Sequence, residues 1–304
     1  MRIFENADFG FVDSRKKGYI ISGVLLLASF ISLTLNGVEL GIDFQGGMEF
    51  VVETDIQIDA TEARAGLGGV LGTEPEVKTF GANALLVRTL PDESISAVQS
   101  QILEGFNTLY PGSNPVMLKN DIVGPRFAQE LKRGAIYSVL GSLLVIFVYI
   151  LLRFEWRFGL GAVAALFHDV TITLGVFAAL HGFLPFSLQI DQTIIAAFLT
   201  IVGYSLNDTV VVFDRIREYT GLFKSDNYEK VVNKSINNTL SRTIITSSTT
   251  LLVVLVLFIF GGEVLRGFAF ALIIGILIGT YSSIYVASPV VVELRNRFGK
   301  PTRR

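Results

Sequence analysis

Six apolar stretches of this 304-residue sequence, at residues 18–36, 134–152, 158–180, 193–213, 243–260 and 267–292, are each long enough to cross a lipid bilayer. The hydrocarbon core is ~30 Å thick and takes about 20 helical residues to span. Inside it a backbone must satisfy its own hydrogen bonds, so runs of this length and uniformity read as transmembrane helices. Composition agrees, with 51% hydrophobic and only 17% charged residues and a mean hydropathy of +0.55. That leaves too little polar surface for a water-soluble globule. The chain has no cysteine, which removes disulfides and thiolate metal sites.

Orientation follows from the basic residues beside the spans. Seventeen lysines and arginines lie on one set of flanks, among them Arg15, Lys16, Lys17, Arg153, Arg157, Arg215, Arg242 and Arg295, whereas the two short loops opposite hold Arg266 alone. Both termini are therefore expected in the cytoplasm, with residues 1–17, a loop at 214–242 and a tail at 293–304 on that side. The first span follows basic residues as a signal peptide does, but no A-x-A-like site follows its apolar run. It reads as an uncleaved anchor. Trp156, in the tight link between the second and third spans, has the position of an interfacial aromatic.

Residues 37–133 then lie outside. They open on Gly41-Ile42-Asp43-Phe44-Gln45-Gly46-Gly47, a glycine-framed turn that lacks the Lys-Ser/Thr of a phosphate-binding loop. The apolar period predicts a strand at 47–54, a helix at 60–71, strands at 76–80 and 84–89, a helix at 92–110 and a strand at 116–122. That order, β-α-β-β-α-β, is the split βαβ, ferredoxin-like unit, an α+β domain with a modest core on one sheet face. From Glu39 to Glu130 there are fourteen acidic and five basic residues. That sign excludes nucleic acid as a partner and suits basic or unfolded polypeptide. The first and second spans are the domain's only covalent route to the membrane and are expected to carry motion between them.

Four of the six spans contain no ionisable Asp, Glu, Lys, Arg or His; the third holds His168 and Asp169, and the fourth holds Asp208. A charge at membrane depth costs at least ~2.5–3.5 kcal/mol unless it is paired or hydrated. Tyr204, Ser205 and Asp208 fall on one helical face, with Asn207 beside them. Asp208 lies about 22 Å along its span at ~1.5 Å per residue. Arg242 opens the next span from the cytoplasmic side at comparable depth, followed by Thr246, Thr249 and Thr250 on a hydrophilic face, so an Asp208–Arg242 pair is within reach. Burial and a nearby guanidinium act oppositely on a carboxylate's hold on its proton, which suits a proton carrier better than a static clamp. His168 and Asp169, as sequence neighbours, should point apart, which argues against a catalytic dyad. With no second histidine at i+4, they also argue against a metal site. Gly275 and Gly279 form a G-x-x-x-G face for close helix packing.

The stretch from Gly203-Tyr204-Ser205-Leu206-Asn207-Asp208 through Asp214-Arg215-Ile216-Arg217-Glu218 resembles the fourth-span signature of the SecF family, the smaller half of the bacterial SecDF protein-export factor. The stretches Gly41–Gly47, Phe167-His168-Asp169-Val170, Ser235-Ile236-Asn237-Asn238-Thr239-Leu240-Ser241-Arg242-Thr243 and Gly279-Thr280-Tyr281-Ser282-Ser283-Ile284-Tyr285 agree with it in order. The resemblance implies an RND-superfamily bundle of six transmembrane helices in the bacterial cytoplasmic membrane, with the small α+β ferredoxin-like domain in the periplasm. It implies SecD, the SecYEG channel, YajC and translocating preprotein as partners, and no cofactor beyond the proton gradient. It also implies Asp208 and Arg242 as proton-path residues, with Tyr204, Ser205, Asn207, Thr246, His168 and Asp169 as supporting polar groups. An intramembrane aspartyl protease using Asp169 and Asp208 is the enzymatic alternative, disfavoured because the G-x-G-D pattern is absent. A proton-coupled small-molecule exporter is the nearer alternative, although such pumps usually carry twelve spans in one chain.

Overall fold

The computed structural model describes residues 7–73, 75–90, 94–184 and 186–298, with the side chains of residues 263 and 264 left aside. Helix α1 (Arg15–Leu35) leads to a short turn of helix, α2 (Ile42–Gln45). An α/β unit follows: β1 (Gly47–Glu53), α3 (Ala60–Leu71), β2 (Glu76–Phe80), β3 (Ala84–Thr89), α4 (Ile95–Leu109) and β4 (Val116–Val123). Then come α5 (Pro125–Arg153), α6 (Trp156–Leu180), α7 (Gln192–Leu222), α8 (Tyr228–Phe260) and α9 (Gly262–Ser282), which continues through one π turn (Ser283–Ala287) into α10 (Ser288–Phe298). Among the described residues, six helical segments have the length and apolarity of membrane spans, the last running through the π turn.

The strand order is β2-β3-β1-β4, antiparallel throughout. Each helix of the unit starts where a side chain caps it: Asp59 accepts from the amides of Thr61 and Glu62, and Ser94 from that of Ala97. Residues 92 and 93, which the sequence pattern assigns to that second helix, lie outside the described residues. Alternation sorts the strands into two faces. Met48, Phe50, Val52, Val77, Leu85 and Val87 pack under α3 and α4 with Leu67, Ile102 and Phe106, each large side chain contributing about 1.5–3 kcal/mol of burial. The other face carries Val51, Phe80, Ala84 and Leu86 with Glu49 and Arg88, and all six are buried. The sheet is thus covered on both faces, not on the one face its strand pattern predicts. The second cover is the connection between α6 and α7, whose Gln189 meets Arg88.

Among the membrane helices, α6, α7 and the last span bury about half of their apolar windows, while α1, α5 and α8 leave most of theirs exposed. The expected loop at 214–242 is mostly helix: α7 runs on to Leu222, and α8 starts at Tyr228 after Asn227 caps it through the amide of Glu229. Charged residues there end the membrane-compatible stretch without ending the helix. The glycine pair expected for close packing is used as such: a Cβ on Gly275 would sit 2.3 Å from Ile201 Cγ1, and one on Gly279 would sit 3.0 Å from Ser205 Cβ. Here α9 lies directly on α7.

Candidate functional site: two buried carboxylates in the helix bundle

Along α7 the inward residues Ile201, Ser205, Asp208, Thr209 and Val212 recur at helical spacing, so the apolar face of the helix carries its polar groups into the bundle. Asp208 is 3% exposed. Its Oδ2 accepts a hydrogen bond from the Ser247 hydroxyl of α8 at 3.3 Å. With the Ser247 proton given to Asp208, the Thr280 hydroxyl of α9, 2.7 Å away, donates to Ser247 Oγ, its alternative acceptor being Ile276 O of its own helix at 2.8 Å. Three helices therefore converge on one carboxylate through hydroxyl groups.

Arg242 is not bonded to it. The side chain is exposed, five residues before Ser247 and so about 7.5 Å back along the axis of α8. No described carboxylate lies within ion-pair distance of it. Arg242 lines a cavity of about 960 Å³, shared with Asp8, Asp13, Glu229 and Lys230, where the N-terminal segment meets the facing ends of α7 and α8. The direct pair within reach on sequence grounds is replaced by a serine contact, with the arginine at the rim of a polar cavity.

The second carboxylate, Asp169 on α6, is 1% exposed. Its Oδ2 accepts from Ser205 of α7 at 2.5 Å and from Ser282 of α9 at 2.7 Å. Its Oδ1 lies 2.9 Å from Nδ1 of His168. This corrects the expectation that the two neighbours point apart: successive side chains diverge on a helix, but the imidazole is wide enough to swing its Nδ1 back to the next residue. The Nε2 of His168 has no hydrogen-bond partner among the described residues. The ring stacks on Tyr281, centroids 6.1 Å apart. The Tyr281 hydroxyl donates to Gly18 O of α1 at 2.9 Å and lies 3.1 Å from Ser22 Oγ.

Of the other polar residues singled out in the sequence, Ser205 joins this network. Tyr204 does not, its hydroxyl having no partner among the described residues. Asn207 is exposed and Thr246 half-buried, and neither bonds to an aspartate. Thr249 and Thr250 donate to Thr246 O on their own helix. Sequence reasoning missed Ser247, and gave Thr280 and Ser282 no role although both stood in a stretch already noted. Their signal is a small hydroxyl side chain inside a long apolar helix, one too frequent to single out a site. No cluster of metal-ligating residues occurs among the described residues.

Comparison with known proteins identifies the family. Residues 107–297 match the family model described as protein export membrane protein SecD/SecF, C-terminal, and residues 31–55 match the SecD/SecF GG motif. A protein translocase subunit SecF of Rhodothermus marinus is 68% identical over 297 residues, covering 98% of this chain and 96% of that protein. The subunit of that name from Desulfurispirillum indicum is 44% identical, covering 96% and 93%. The crystal structure of SecDF, a translocon-associated membrane protein from Thermus thermophilus, superposes with a TM-score of 0.86 at 36% identity. The match covers 98% of this chain and 40% of that one, so this chain spans about two fifths of the SecDF polypeptide. SecDF in a super-membrane-facing form superposes with a TM-score of 0.70 over 96% of this chain. On its family-model match and on relatives that align over nearly its whole length, this chain belongs to the SecF family of protein-export membrane proteins.

Proposed function

We propose that this chain is the SecF-type half of a proton-driven export factor and that it is not an enzyme. It works in the bacterial cytoplasmic membrane with a SecD-type partner, beside the SecYEG channel and YajC, on preprotein in the late steps of export. The α/β unit is the ferredoxin-like periplasmic domain, and both termini face the cytoplasm. The observation that carries the reading is Asp208, a carboxylate 3% exposed in a membrane-length helix and held by a hydroxyl, with no arginine bonded to it. A group so placed changes its protonation when the helices around it shift.

In this reading Arg242, at the rim of the polar cavity, marks the side toward which a proton leaves Asp208. Need for a partner is supported by the outer faces of α7 and α8. Thr200, Asn207 and Thr249 are exposed there, within the apolar stretches of the two helices. Polar groups facing lipid are costly, and helices of a second subunit would cover them. One proton moved down a gradient of ~170 mV releases about 4 kcal/mol, at ~2.3 kcal/mol per 100 mV. Differences of a few kcal/mol suffice to exchange two conformations of a bistable domain. Export of a secreted reporter in cells carrying Asp208→Asn tests the reading. Gradient-dependent export should be lost while the complex still assembles; full export would contradict it.

A further inference from the structure

Outside the membrane, Glu39, four residues past the end of α1, accepts from Gln189 Nε2 at 2.5 Å and also meets Lys78 of β2 and His181 at the end of α6. Gln189 accepts in turn from Arg88 of β3 at 2.7 Å. Arg88 is 6% and Gln189 8% exposed, so these bonds are made out of water. The backbone joins in: Ile190 N donates to Glu39 O at 2.7 Å and Gly41 N to Ile190 O at 2.8 Å, forming a parallel bridge between Leu40 and Ile190. Asp43 accepts from the amide of Gln192 at 2.9 Å.

Gln192 is the first residue of α7, and Asp191 caps that helix through the amide of Ile194. The clamped segment 189–192 therefore leads without a break into α7. Asp208 lies sixteen residues further along the same helix, about 24 Å away at ~1.5 Å per residue. An apolar contact can slide, whereas directional bonds between buried charged and amide groups hold one geometry.

We propose that Glu39, Arg88 and Gln189 form the joint through which α7 drives the α/β unit, so that a shift of α7 reaches the sheet directly and not only through α1 and α5. The joint rests on the reading of Asp208 as the proton-binding group. Gln189 is a positioning residue in it, linking Arg88 of the sheet to Glu39 beside the start of α7.

The test uses the full complex with its SecD-type partner in membrane vesicles, with proton flux and preprotein release measured together. Gln189→Leu removes both side-chain bonds of the joint, and Asp43→Ala removes only the bond to Gln192 N. With flux within about twofold of wild type, Gln189→Leu should lower release per proton by about tenfold, the factor that goes with leaving a buried polar group such as Arg88 short of a partner. Asp43→Ala should lower it in the same direction by less. Unchanged release in either variant would overturn the joint, as would loss of flux in parallel with release, which would make these residues supports of the bundle. Should Gln189→Leu fail to accumulate, Asp43→Ala decides. Equal flux in wild-type and Asp208→Asn vesicles would instead overturn the reading beneath the proposal.

Discussion

A carboxylate enclosed among apolar helices is either held by donors or neutralised, and the two buried aspartates of this chain illustrate different degrees of the first. Asp169 has three donor contacts from three helices, whereas Asp208 has one, at 3.3 Å. The well-held group suits a fixed anchor and the weakly held one a group that exchanges its proton. Ser205→Ala should therefore cost the bundle about 1–3 kcal/mol, the usual cost of leaving a buried polar group short of a partner. Denaturation of the purified protein in detergent measures this, and unchanged stability would mean that Asp169 does not depend on that bond. In the α/β unit, burial disfavours the charge of Glu76, yet its hydrogen bond to Lys78 and the charges of Lys78 and Arg88 outweigh it and hold the carboxyl below its ordinary range. Stability from that group is present above the unfolded value of ~4.3 and is lost as pH falls through the lower folded value. Hydrogen exchange of the β2 and β3 amides should show wild type losing part of its protection over that acid window and Glu76→Gln losing less. Identical profiles would contradict this. Asp208 itself was legible as a lone acid in an apolar span. Its partner was not, because serines and threonines in membrane helices so often bond back to their own carbonyls that Ser247 could not be told from Thr249 or Thr250.

At the scale of elements, the fold depends on how closely α9 approaches α7, and that approach passes between the two aspartates. Ser205 and Asp208 share the inward face of α7, while Ser282 and Thr280 of α9 serve Asp169 and Asp208 respectively. Gly279 lies against Ser205 in the middle of this contact. Gly279→Leu should force the helices apart, costing about 1–3 kcal/mol as overpacking does and breaking both polar contacts. A lowered melting temperature together with lost export would bear this out; a stable, active variant would show that the two helices need not touch. The glycine spacing announced this contact in the sequence, as period-2 alternation announced the strands. The cytoplasmic ends of α7 and α8 were less legible, since hydropathy marks where a helix leaves the membrane and says nothing about where it stops.

Over the whole molecule, the sheet lies against the α6–α7 connection and is clamped to the start of the helix that carries Asp208. Strand patterns could not reveal this second cover, because Glu49 and Arg88 read as solvated charges when they are in fact 5% and 6% exposed and bonded to each other at 2.9 Å. The proposed orientation is open to a direct check, since the chain has no cysteine of its own. A membrane-impermeant thiol reagent should label Ser96→Cys in intact cells and Ser225→Cys only after permeabilisation. The reverse pattern would invert the orientation. The central claim, that proton passage at Asp208 drives export, is tested most directly by recording proton flux and preprotein release in the same vesicles for wild type and Asp208→Asn. The account predicts that both fall together to the level seen without a gradient; release that persists at the wild-type rate after flux is lost would contradict it.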